Sequence, residues 1–242
     1  GYHNWPGYPQ GSVGIVAGAM MASASVFKIK VVGKGAHAAM PQLGADPLLV
    51  ACQLVQGLQS IVTRNINPLD SVVLSVTKIH CGDATNIIAD DCVIEGTVRC
   101  FSEHVLKAVE TRMGRISQDL CLAFDCEGQL DFQRAYPATV NHAAQAHYMR
   151  DVAENLLGQD KVVDFTPTMG SEDFSFFLQE KPGCYFALGN GDGDHRDLLH
   201  GMGPCTLHNP SYDFNDALIP IGASLWTKLV EARLGKGGII CE

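Results

Sequence analysis

Between about residues 25 and 135 the spacing of apolar residues switches from two to 3.6 and back again, in the order strand, helix, strand, strand, helix, strand. Val26–Val32 (VFKIKVV) alternates as a half-buried strand does. Pro47–Thr63 then places Leu48, Cys52, Val55, Leu58 and Val62 at helical spacing. After Asp70 come two strand-like runs, Ser71–Ile79 and Cys92–Phe101. Ser102 or Glu103 starts a helix running to about Ala123, with Val105, Val109, Met113, Ile116 and Leu120 on one face. Gly128–Phe132 closes the set as a strand. This β-α-β-β-α-β succession predicts a split βαβ sandwich, an α+β ferredoxin-like unit over 25–135. Its two ends fall at nearly the same place, which suits insertion into another domain.

The flanks, 1–24 and 136–242, then belong together. Val140–Leu157 reads as a helix and Val162–Phe165 as a short strand. Ser171 is placed to cap a helical turn through Leu178. Cys184–Leu188 reads as a strand ending in Gly189–His195 (GNGDGDH). That stretch lacks the Lys-Ser/Thr ending of a phosphate loop and is read as a flexible loop. Asp213 or Asn215 would cap a last helix over 216–234. Alternating strands and helices imply an α/β layer.

Composition narrows the function classes. Net charge is −9, which disfavours nonspecific binding to nucleic acid or to an anionic membrane. No apolar run is long enough for a membrane span, and no signal-peptide pattern is present. Nine cysteines without a CxxC pair are expected to be buried, reduced thiols of a cytoplasmic protein. A GxSxG elbow is absent, so serine-hydrolase chemistry has no support.

Two histidines far apart, His3 and His208, carry imidazoles that suit zinc, manganese, cobalt or nickel. Spacing alone would leave them as loop histidines. His80, His104, His142, His147, His195 and His200 carry no spacing that points to chemistry. His142 and His147 are five apart and so do not share a helical face. Ser171, Glu172 and Asp173 also fit plain helix capping, and Arg99 fits a surface position on a strand.

Five motifs in order supply more: YHNWP at the start, GKGAHAAMP at 33–41, TNIIAD at 85–90, MGSEDFSFF at 169–177 and LHNPSYDFND at 207–216. Over nearly its whole length, apart from the tail after about Leu234, the chain resembles the metal-dependent amidohydrolases. That metallopeptidase group includes aminoacylases, hippurate hydrolases and auxin-conjugate hydrolases. The resemblance implies an incomplete α/β catalytic domain, 1–24 and 136–242, carrying an inserted lid and dimerisation domain, 25–135. It implies hydrolysis of the amide bond of N-acyl amino acids with two divalent ions, His3 ligating one and His208 the other. Further ligands and a glutamate general base, in a Cys-x-His motif and a Glu-Glu pair, would precede Gly1. His37 would stabilise the oxyanion, reaching across a homodimer to the partner's active site. Asn86 and Arg99 would hold the substrate, and Met169, Gly170, Ser171 and Glu172 would line its pocket. The chain alone is expected to fold imperfectly and to turn over little or no substrate. The alternative is a non-catalytic dimerisation and substrate-lid module with half a metal site.

Overall fold

The computed structural model describes residues 1–235. The tail from 236 on, including Cys241, lies outside the described residues. Three strands open the chain: β1 (Tyr2–Pro6), β2 (Val13–Ile15) and β3 (Gly18–Met21). Next come β4 (Ala24–Val32), β5 (Ala36–His37), α1 (Pro47–Ser60), β6 (Val72–Cys81), β7 (Ile87–Ile88), β8 (Asp91–Cys100), α2 (Glu103–Leu122) and β9 (Glu127–Tyr136). The remainder is β10 (Thr139–Asn141), α3 (Ala143–Leu157), β11 (Val162–Asp164), α4 (Phe174–Glu180), β12 (Phe186–Gly191) and α5 (Leu218–Leu234). No helix among the described residues is long and apolar enough to cross a membrane.

Two compact units result. The first comprises Gly1–Met20, Thr139–Thr168 and the described chain from Phe174 onward. Its sheet runs β1-β12-β2-β11. β1 lies parallel to β12 and β11 parallel to β2, whereas β12 and β2 are antiparallel, so the sheet is mixed. Val13, Ile15, Phe186 and Leu188 of the sheet bury themselves against Ala146, Met149 and Ala153 of α3 and Leu218 and Leu225 of α5. Each large apolar side chain so enclosed contributes roughly 1.5–3 kcal/mol.

The second unit comprises Met21–Ala138 with Met169–Asp173. Its antiparallel sheet runs β6-β8-β4-β9, and α1 and α2 supply the facing layer. Alternate residues of β8 are buried from Cys92 to Cys100, meeting Leu54 and Leu58 of α1 and Val109 and Met113 of α2. The period-two and period-3.6 signals in the sequence are the two halves of this one core. Gly96 lies where β6, β8 and a ring crowd together. An added Cβ there would come 2.1 Å from the Ser75 carbonyl oxygen and 2.5 Å from Phe27.

Several expectations need correction. Val140 and Asn141 are strand, not helix; α3 starts at Ala143 with His142 as its cap residue. The cause is the buried Asn141 side chain. Its Nδ2 donates to the carbonyl oxygens of Val16 (2.9 Å) and Tyr185 (2.8 Å), and its Oδ1 accepts from the Tyr185 amide at 2.7 Å. Replacing Asn141 with leucine should lower stability by about 3 kcal/mol, read as a fall in the urea midpoint at constant slope.

Gly189, Asn190 and Gly191 are strand rather than loop, continuing β12 alongside β1. Asn190 fixes them. It is fully buried, donates to the Asp213 carbonyl at 3.0 Å and accepts from the Asn215 amide at 3.0 Å. The last helix begins at Leu218 rather than 216. Asn215 accepts from the Ala217 amide at 3.1 Å, so its cap-like contact lies ahead of the helix. The cysteines are not uniformly buried: Cys92, Cys100, Cys121, Cys126 and Cys205 are, Cys81 and Cys184 are partly exposed and Cys52 is exposed. All eight described cysteines are free thiols.

Candidate functional site

In the first unit, β1 carries His3 on the sheet, beside Asn4. His3 Nδ1 lies 2.6 Å from the Asn4 carbonyl oxygen. A carbonyl only accepts, so Nδ1 holds a proton, and in the neutral ring Nε2 keeps its lone pair. That is the tautomer in which an imidazole binds a metal through Nε2 while its other nitrogen is anchored by a backbone oxygen.

His208 is exposed and holds φ +64°, the left-handed region that disfavours residues with a Cβ. The turn around it is tightly specified. Asn209 N donates to the Thr206 carbonyl at 3.2 Å, Ser211 N to Asn209 Oδ1 at 2.9 Å, and Tyr212 N to the Asn209 carbonyl at 3.0 Å. Strain held in place by its surroundings clusters at functional positions.

The side chains of Asn4 and Tyr212 hydrogen-bond, tying the strand that bears His3 to the turn that bears His208. Burial, with Cys205 and Asp213 nearby, pushes the Tyr212 phenol above its ordinary value, so it stays a neutral donor and acceptor. Both residues sit inside motifs visible in the sequence, yet their pairing across the chain left no local signal. His195 and His200 flank Asp213: His200 Nε2 lies 3.3 Å from Asp213 Oδ1, and its Nδ1 lies 2.9 Å from Asp197 Oδ1. That second contact holds the exposed Asp197 carboxyl below its ordinary value.

As to metal, the chemistry of His3 and His208 fits one ligand each. Two imidazoles do not complete a site. Among the described residues no group of three or more His, Cys, Asp and Glu side chains is arranged to hold an ion. The described residues by themselves therefore do not fit a closed metal centre.

In the second unit His37 and Asn86 come together. β5 pairs with β7 through Ala36↔Ile88 and His37↔Ile87, and the Ala38 amide donates to the Asn86 carbonyl at 3.0 Å. Both residues line a hollow of about 730 Å³ with Gly35, Asp83 and Asp90. The Ala39 amide donates to His37 Nδ1 at 3.0 Å. This contact requires a lone pair on Nδ1, so the ring proton sits on Nε2, a hydrogen-bond donor on an exposed side chain. Gly33 makes the loop possible, since an added Cβ would stand 2.3 Å from the Ala45 carbonyl oxygen. Gly35 in turn donates its amide to Asp90 Oδ1 at 2.8 Å.

Arg99, on β8, donates from Nη1 to Ser171 Oγ at 3.0 Å. Ser171 thus accepts from Arg99, and α4 begins three residues later, at Phe174, which corrects the expectation that Ser171 caps the helix. The Ala22 amide donates to the Gly170 carbonyl at 2.9 Å, so 169–173 is laid down beside Arg99. Within this unit the structure brings His37 to Asn86, and Arg99 to Ser171.

Comparison with known proteins gives the geometry a context. The model of peptidase family M20/M25/M40 matches residues 1–232. An N-acetyl-L-cysteine deacetylase of Bacillus subtilis is 37% identical over 90% of this chain and 50% of its own length. A hippurate hydrolase of Campylobacter jejuni is 35% identical over 95% of this chain and 57% of its own. The chain thus spans about half the length of the curated relatives it matches. Among solved structures, the YXEP protein of Bacillus subtilis, described as a dinuclear metal binding peptidase, superposes with a TM-score of 0.78. It is 24% identical, and the match covers 97% of this chain and 56% of that one. At that identity the likeness speaks for the α/β fold with mixed sheets.

Proposed function

The chain belongs to peptidase family M20/M25/M40, and from that premise we propose that the whole protein hydrolyses the amide bond of N-acyl amino acids. The observation that carries this reading is the match along almost the full chain to relatives whose names denote that chemistry, an N-acetylcysteine deacetylase and a hippurate hydrolase.

The first unit is the later part of an α/β catalytic domain, and its incompleteness is supported by the exposure of Phe177, Ile219, Trp226 and Val230. The second is an inserted ferredoxin-like lid, through which two copies pair. His3, through its unprotonated Nε2, and His208 each give one ligand. The remaining ligands and a carboxylate general base come from a preceding stretch of the protein. Two divalent ions, when bound, supply Lewis-acid polarisation and a water that ionises near neutrality. His37 donates from Nε2 to the oxygen on which charge develops, in the partner subunit's site. Asn86 offers a donor and an acceptor to the amide, and Arg99 forks onto the carboxylate, with Met169, Gly170 and Glu172 lining the approach.

The test is hydrolysis of a panel of N-acyl amino acids by the full-length, metal-loaded protein. Release of the amino acid, stopped by a chelator and restored by a divalent ion, is the expected result. No release from any member of a broad panel would overturn the reading. The 242-residue chain alone should show none, because the donor set among its described residues is incomplete. A second reading, a non-catalytic dimerising module with half a metal site, draws on that same incompleteness. Robust hydrolysis by the full-length protein would remove it.

A further inference from the structure

The cysteines of the second unit include two on facing strands. Cys81 ends β6 and Cys92 lies near the start of β8, and the two are direct partners in the antiparallel register. Facing residues in such a ladder have Cα atoms roughly 4.5–5.5 Å apart. That lies inside the window of roughly 4.4–6.8 Å that a disulfide bridges without backbone movement. Cys81 Sγ donates at 3.4 Å to the carbonyl oxygen of Asp91, the residue before Cys92. Both are reduced here. Cys81 is partly exposed, whereas Cys92 is fully buried, so one sulfur is open to a reagent and the other is not.

We propose that Cys81 and Cys92 form an oxidisable pair, which a hydroperoxide converts to a disulfide closing the 82–91 hairpin. The steps balance. Cys81 thiolate attacks the terminal peroxide oxygen, the O–O bond breaks, and a sulfenic acid forms as the alcohol or water departs. Cys92 sulfur then attacks the Cys81 sulfur, the S–O bond breaks, and its oxygen leaves as water with the Cys92 proton. The two sulfurs together lose two electrons and the peroxide gains them.

What the staple would fasten is specific. The 82–91 segment carries Asn86 and β7, which pairs with the strand bearing His37. Closing the loop at its base removes open conformations from the hairpin.

Burial raises the Cys81 thiol above its ordinary value and pushes Cys92 up to about 12. Because the thiolate is the attacking form, oxidation should be slow at neutral pH and quicken as pH rises past the ordinary thiol value. Cys52, an exposed thiol on α1 close enough to bear electrostatically on both, is the competing partner.

The experiment is a hydrogen peroxide pulse on the full-length protein, alkylation of the remaining thiols, and mass mapping without reduction. A Cys81–Cys92 cross-linked peptide is expected, lighter by two hydrogens and abolished by dithiothreitol. Amide exchange across 82–91 should slow at the same time. Cys81→Ser should lose the cross-link and Cys52→Ser should keep it. The wild-type map needs no variant, so a misfolded substitution cannot decide the matter. Cys81 recovered linked to Cys52, oxidised to a sulfinic acid, or still reduced while Cys52 is oxidised, would overturn the proposal.

Discussion

Replacing His3 with alanine in the full-length protein is expected to lower kcat/KM on an N-acyl amino acid by on the order of a thousandfold. The imidazole sits on β1, partly exposed, with Nδ1 donating to the Asn4 carbonyl and Nε2 bearing the lone pair. Its ring also meets Trp5 edge-on, with centroids 5.9 Å apart. That packing is too slight to hold the unit together, so the stability change should stay within about 0.5 kcal/mol. The loss would fall on metal content and turnover together. Activity within tenfold of the parent, at normal metal content, would show that His3 is not a ligand.

Removing His37 should act differently. His37→Ala is expected to cut kcat by roughly a hundredfold to a thousandfold while KM changes little, as loss of a donor that acts only in the transition state does. The orientation is built in: the Ala39 amide occupies Nδ1 and leaves Nε2–H as the donor. A loop with a Cβ at Gly33 could not hold this geometry. Equal losses in stability and turnover would instead mark His37 as a shaping residue of the β5–β7 ribbon. A rise in KM with unchanged kcat would mark it as a binding group only.

Legibility in the sequence followed strand length and amphipathicity. β4, β8 and α2 announce themselves because alternation or helical spacing runs for nine residues or more, so a one-sided core leaves a long trace. β1, β2 and β3 leave no such trace. They are three to five residues long and lie among Gly and Pro, where pairing partners far along the chain decide the conformation. Gly189 and Gly191 suggested a loop, yet Gly189 is in the strand because Pro9 passes so close that a Cβ would meet its carbonyl oxygen at 2.1 Å. For the site, motif order points to His3, His37, Asn86 and His208 as candidates, and Arg99 joins them by resemblance alone. Nothing local could reveal the proton positions on His3 and His37, which depend on backbone groups placed by the fold. The Arg99–Ser171 contact, 72 positions apart, was equally hidden.

The turn at His208 sets folding against chemistry. An L-residue at φ +64° bears a conformational cost of about 1 kcal/mol that glycine escapes. Ranked by stability alone, glycine or asparagine would outcompete histidine at this position. A lineage relieved of the need for that imidazole should drift toward them. The identity of residue 208 across descendants thus records whether selection still asks for an imidazole at that turn.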